Sequence, residues 1–187
     1  MVPLANLKMP PGNANIAGTS VTLPRSEFVE NAHFKTICTR VQFAAKACPP
    51  GSIYGSATAK TPLLDEPLQG PVYLRSSSHQ LPDLVMALKG PPSLPIEIEV
   101  AARVDSVNGR LRTTFESVPD APVSEFDLQM QGGAKSLIVN SANLCAATNR
   151  ATAKFVAHNG KAATLRPALR TSCNKHGAKG KKKPKRG

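Results

Sequence analysis

Tryptophan is absent from this 187-residue chain, and its only aromatic side chains are two tyrosines and six phenylalanines. A core must therefore rest on Val, Ile, Leu and Ala. Long apolar runs are missing as well: nowhere do about eighteen apolar residues follow one another, so the sequence offers no membrane-spanning helix. The opening "MVPLANLKMPPGNANIAG" has no apolar core of a secretory leader. Cysteine pairs at the close C-x2-C spacing of zinc sites are lacking too. Nine residues separate Cys38 from Cys48, twenty-seven separate Cys145 from Cys173, and no histidine stands at ligand spacing from either pair.

What is present points to one β-rich domain. The length suits a single domain that buries about two thirds of its unfolded surface. Seventeen prolines and thirteen glycines punctuate the chain often, which favours short strands over long helices. Four cysteines are an even set, and in an oxidising compartment they make two disulfides with three possible connectivities. The preferred pairing is Cys38–Cys48 with Cys145–Cys173, for which loop closure predicts about 2.7 and 3.6 kcal/mol. The first bridge imposes a geometric condition. Ten helical residues rise about 15 Å, whereas bonded cysteines hold their Cα atoms about 5–6 Å apart. Any helix between Cys38 and Cys48 must be short, with the chain doubling back at "ACPPGS".

The formal charge of +12 is concentrated at one end. After Cys173 the chain reads "NKHGAKGKKKPKRG", with Lys175, Lys179, Lys181, Lys182, Lys183, Lys185 and Arg186 and no acid. Taking these seven cations from +12 leaves +5 on the rest, an ordinary value for a domain. Like charges, Gly and Pro give residues 174–187 nothing to bury, and a disordered basic tail is expected. Such a tail is drawn to polyanions: anionic cell-wall polymer, a membrane surface or, less favoured, nucleic acid. It has no interleaved aromatic for base stacking, so sequence-specific reading is not expected. A solubilising end without a partner is the plain alternative.

Strand-like runs recur along residues 18–173 at the spacing of a sandwich. They are "TSVTLP", "SIYGSATAK", "GPVYLRS", "DLVMALKG", "IEIEVAARVDS", "RLRTTFESV", "SEFDLQMQ", "AKSLIVN" and two runs in "ATAKFVAHNGKAATLRP". Asn108-Gly109 is the strongest hairpin signal, Gln131-Gly132-Gly133 suggests a second reversal and Asn159-Gly160 a third. "TRVQFAAKA" is the helix candidate, with Thr39 as N-cap and Pro49-Pro50 as stop. The expected fold is mainly β, an antiparallel β-sandwich of Ig-like or jelly-roll-like form, with one short helix and the basic tail. Residues 1–17 are an N-terminal extension or the end of an upstream strand.

Three stretches carry a resemblance: "CPPGSIYGSATAKTPLLDEPLQGPVYLRSSSHQLPDLVMALKG", "GRLRTTFESVPDAPVSEFDLQMQGGAKSLIVNSANLC" and "NRATAKFVAHNGKAATLRPAL". Together with the lysine-rich end they resemble a β-rich region of large exported, cell-envelope proteins of high-GC Gram-positive (actinobacterial) bacteria. The resemblance covers residues 18 to 173. It implies an extracellular or cell-surface location and a leader far upstream, so the chain is expected to be the downstream part of a longer exported polypeptide. It implies no reaction and no catalytic residues.

Candidate chemistry is thin. "RSSSHQLPD" brings Ser76, Ser77, Ser78, His79 and Asp83 together in sequence, but a hydrolytic triad is assembled in space, and no G-x-S-x-G surrounds these serines. A polar crossover between two strands explains the segment. Asp65 and Glu66 read as a solvated turn rather than paired carboxylates. "DSVNG" has too few oxygens for a calcium loop, and "GSIYGSA" lacks the Lys-Ser/Thr of a phosphate loop. His33 and His158 are lone histidines near apolar residues. Tyr54, Tyr73 and Arg75 are residue types favoured at interfaces, though a strand with Tyr73 on one face and Leu74 on the other accounts for Tyr73 without one. No cofactor or metal is implied. The leading expectation is a non-enzymatic structural or adhesive envelope domain. The alternatives are a cytosolic basic nucleic-acid-binding protein with free thiols and, behind it, a hydrolase centred on His79.

Overall fold

Alternation of apolar and polar side chains makes strands here because a pleated backbone sends successive residues to opposite faces. The computed structural model describes residues 4–171 and Cys173. In chain order its strands are β1 (Leu4–Lys8), β2 (Ile16–Thr22), β3 (Glu27–Val29), β4 (Ile53–Lys60), β5 (Leu68–Arg75), β6 (Asp83–Lys89) and β7 (Glu97–Val107). They continue as β8 (Arg110–Phe115), β9 (Glu125–Met130), β10 (Ile138–Asn140), β11 (Thr152–Ala157) and β12 (Ala162–Leu165). Among the described residues one α-helix, α1 (Arg40–Ala44), sits between β3 and β4.

Ten strands form one antiparallel sheet in the order β1-β9-β4-β5-β6-β7-β8-β2-β11-β12, and β3 pairs with β10 apart from it. The expected mainly β, antiparallel architecture with one short helix is what the chain adopts. Its two layers are continuous rather than separate, because β7 is long enough to serve both. Glu97–Ala102 pairs with β6, and Arg103–Val107 pairs with β8. The sheet curls through this shared strand into a half-barrel.

The inner face holds the core. Ala57 and Ala59 from β4, Val72 and Leu74 from β5, Met86 and Leu88 from β6, Val100 from β7 and Met130 from β9 form one buried cluster. Phe115 of β8, Phe34 and Leu137 close it from the other side. On β4 the small Ala57 and Ala59 stand opposite Leu128 and Phe126 of β9. No side chain fits at Gly70, since a Cβ there would stand 1.7 Å from the Ala87 carbonyl oxygen. The central strands β5 and β6 are buried on the inner face and partly covered on the outer one. On the outside, Val85 lies beneath Phe43 and Cys38, with Tyr73 and Ala87 around them.

The turns follow their residues in two cases of three. Asn108 and Gly109 have φ of 52° and 69°, the left-handed pair that a two-residue hairpin turn requires, and they join β7 to β8. Asn159-Gly160 closes β11 against β12. The reversal expected at Gln131–Gly133 makes no hairpin. Strand β9 already has β1 on one edge and β4 on the other, so the chain leaves it and β10 pairs with β3 instead.

The helix is shorter than its pattern suggested. Thr39 caps it, accepting from the Gln42 amide at 3.1 Å, while the Gln42 side chain accepts from the Thr39 amide at 2.9 Å. It ends at Ala44, well before the prolines, and Lys46 turns back with φ of 54°. The Cys38–Cys48 bridge, with Cα atoms 5.2 Å apart, accounts for the early stop. At the N-terminus, Leu4–Lys8 forms β1, an edge strand of this same sheet against β9.

Candidate functional site

All four cysteines are paired, Cys38 with Cys48 and Cys145 with Cys173, the second with Cα atoms 5.7 Å apart. The preferred sequential pairing is the one adopted. Cys38 is fully buried and stitched to the end of β5: its amide donates to the Leu74 carbonyl, and the Ser76 amide donates to the Cys38 carbonyl, both at 2.9 Å. The second bridge joins the loop before β11 to the segment after β12. Sulfur in a disulfide is no thiolate ligand. Among the described residues no group of three or more His, Cys, Asp or Glu side chains is placed to hold a metal ion.

The crossover from β5 to β6 gathers the residues of "RSSSHQLPD". Asp83, almost fully buried at the start of β6, accepts from His79 Nε2 at 2.8 Å and from Arg75 Nη2 at 3.3 Å. Arg75 also lies over the Phe43 ring, 5.3 Å from its centre. His79 and Asp83 thus meet as two members of a triad would. The third position is unfilled. Ser77 Oγ donates to the Leu81 carbonyl at 2.6 Å and accepts from the His79 amide at 3.2 Å, which folds the loop on itself. Ser76 Oγ accepts from the Arg40 amide at 3.2 Å, tying the loop to α1. The remaining imidazole nitrogen, Nδ1, is buried without a hydrogen-bond partner, so no serine hydroxyl stands on it. Chemically this is an ionic clasp holding crossover, helix and strand together.

Other residues singled out in the sequence fall elsewhere. Tyr54 is completely buried. Its hydroxyl donates to the His33 carbonyl at 3.1 Å and accepts from the Lys35 amide at 3.0 Å. That removes it from any surface. Tyr73 packs edge-on against Phe43, with ring centres 5.8 Å apart, while Leu74 points into the core. Arg75 is spent in the clasp. His33 Nδ1 and His158 Nε2 bond the carbonyls of Ser136 and Val118 at 2.7 and 3.0 Å. Asp65 and Glu66 sit exposed in a bend. The cationic run Lys175, Lys179, Lys181, Lys182, Lys183, Lys185 and Arg186 lies outside the described residues.

Two charged features were not singled out by sequence. The first joins β1, β4 and β9, where Glu125 meets Lys60 at 2.8 Å, Lys8 at 3.3 Å and the Asn6 amide at 3.2 Å. These donors hold its carboxyl down at about 2, the Lys60 bond contributing most. A depressed acid stabilises the fold above its unfolded value and loses that contribution as pH falls through the folded one. The Glu125 carboxylate is therefore expected to titrate near pH 2 by carbon-detected NMR, with part of the chain's stability lost between about pH 4.5 and 2. Glutamine at 125 removes that acid-limb contribution.

The second feature is the outer face of the β7–β8–β2–β11 half. The register sets Arg103, Asp105 and Val107 beside Thr114, Arg112 and Arg110, then Thr22 and Ser20, then Thr152 and Lys154. Only Asp105 is acidic in these rows, and both its oxygens face Arg103 Nε, at 2.9 and 3.1 Å. Sequence reading missed this face because its arginines lie on different strands and its turn had already been explained as a hairpin. A period-two placement of Arg110 and Arg112 on one side of β8 was the available signal.

Comparison with known protein families, curated proteins and solved structures returns no match for this chain.

Proposed function

We propose that this chain is a non-enzymatic structural or adhesive β-module of the cell envelope, working outside the cytoplasm and contacting anionic polymers through its cationic C-terminal run. What carries the reading is the sulfur: every cysteine is joined to another, and two such bridges persist where the surroundings are oxidising. Further support comes from the stretches that resemble exported proteins of high-GC Gram-positive bacteria. The clasp at His79 supports it as well, because its groups are engaged in holding the β5–β6 crossover. Among the described residues no helix is long and apolar enough to cross a membrane.

The two halves of the reading have separate tests. Protein isolated from its source without reductant is expected to show no reactive thiol after denaturation and a mass four hydrogens below the reduced form. Four titratable thiols would sink the extracellular assignment. For the polymer contact, Lys175, Lys179, Lys181, Lys182, Lys183, Lys185 and Arg186 are replaced by glutamine in the full chain. Binding to linear polyphosphate at low salt is expected to weaken more than about tenfold, with a flatter salt dependence. Unchanged binding removes the run from the function.

A further inference from the structure

We infer that the turn end of the β7–β8 hairpin is a second anion site, built to take a phosphate group of a linear anionic polymer. It deepens the polymer-binding reading above and rests on it for the class of ligand. The site itself stands on separate residues.

Thr22, Arg25, Val107, Asn108, Arg110 and Arg112 line an open hollow of about 340 Å³ on the outer face of the sheet. Three arginines line it from three places in the chain: the loop after β2, the start of β8 and its third residue. Like charges repel, so a fold that gathers three arginines around one space raises its own energy unless an anion offsets it. The one acid at hand offsets part of it: Asp105 bonds Arg103 and makes a longer ion pair with Arg112 Nη2 at 3.8 Å, while no acid lines the hollow beside Arg25 and Arg110.

A second observation is independent of charge counting. Arg112 Nε is buried and has no hydrogen-bond partner. Buried donors are nearly always satisfied, and this one, on a residue that lines the hollow, is free to donate to an acceptor that enters there. A tetrahedral oxyanion suits the gap, because planar guanidinium forks grip phosphate oxygens in pairs. The Thr22 hydroxyl adds a neutral donor at the rim.

The polymer follows from what adjoins the hollow. It opens to solvent, and Lys154 continues the cationic track across the same outer face between threonines and serines, with Arg103, paired to Asp105, at the far edge. A single ion would use the hollow alone, whereas a flexible chain carrying repeated phosphates follows the track. No aromatic lines it, so nucleic acid gains no stacking there.

Linear polyphosphate is titrated into the full chain while the Arg112 Nε–Hε NMR signal is followed. The signal is expected to shift and saturate. Arg25 and Arg110 are both exposed, and Arg25→Gln with Arg110→Gln is expected to keep the wild-type melt and weaken the affinity read at Arg112 about thirtyfold. Arg112→Lys, which keeps the charge but loses the Nε donor, is expected to weaken binding less than the double variant. An Arg112 signal that never moves, or a double variant within twofold of wild type, overturns the site. Inorganic phosphate saturating Arg112 at the same total phosphate concentration overturns the polymer, leaving an anion site. Single-stranded DNA of equal charge binding tenfold more tightly than polyphosphate overturns the choice of ligand class. If the tail-neutralised variant keeps its affinity and Arg112 saturates as before, the hollow stands and the tail falls. If Arg112 stays silent while tail neutralisation abolishes binding, the hollow falls and the tail stands.

Discussion

Replacing Cys145 and Cys173 together by alanine lowers the melting temperature by about 10 °C. The bridge closes a loop of sequence separation 28, and closure of such a loop removes about 3.6 kcal/mol of unfolded-chain entropy. For a chain of this length each kcal/mol moves the midpoint by about 2–4 °C. The loop contains β11 and β12, and β12 is an edge strand whose four residues are all exposed. Little burial holds that edge, so the covalent closure matters there more than its own packing. Hydrogen exchange should show the β11–β12 amides losing protection first, with β4–β6 unaffected. The Cys38–Cys48 pair behaves differently. Its loop has sequence separation 10, worth about 2.7 kcal/mol, but Cys38 is wholly buried and its loss also loosens α1 from Val85 and Tyr73. Calorimetry with and without reductant checks both, and a wild-type midpoint unmoved by reduction would show that the bridges contribute nothing.

Asp83→Ala costs about 3 kcal/mol, the usual effect of breaking a buried ion pair by removing one partner. Arg75 and His79 would then face each other across β5 and β6 without the carboxylate that both now bond. His79→Ala is expected to cost only about 1 kcal/mol, because Arg75 still pairs with Asp83 and the orphan Nδ1 disappears with the ring. Urea unfolding of the two variants gives the difference directly. Equal losses would mean that the imidazole, not the carboxylate, anchors the crossover. The same His79 variant assayed on ester and peptide substrates addresses hydrolysis. An activity that vanishes while stability holds would return the clasp to catalysis.

Much of the fold was readable because its causes are local. Alternation in "IEIEVAARVDS" fixes which side of β7 is wet whatever its neighbours, and Asn108-Gly109 fixes a hairpin through two left-handed residues. Thr39 announced the helix start, and the spacing of Cys38 and Cys48 limited its length. The reversal at Gln131–Gly133 misled for a physical reason. A glycine pair permits a turn, but whether the next segment returns to β9 depends on which strands already occupy its edges. Tyr54 misled likewise, since a tyrosine serves an interface or a core equally well until its hydroxyl finds partners. Here it found the backbone of residues 33, 35 and 36.

By itself the sequence determined a β-rich class, the hairpins at Asn108-Gly109 and Asn159-Gly160, the short helix and an even cysteine set with a favoured pairing, because each rests on neighbours within a few residues or on loop length. Tertiary structure alone decided that β7 belongs to both halves of the sheet, that Asp83 is the buried centre of a clasp, and that Arg25 comes to lie beside Arg110 and Arg112. Those outcomes depend on which of many compatible strand edges meet. That choice is made by the burial of the whole inner face at once, and no stretch of a dozen residues contains it.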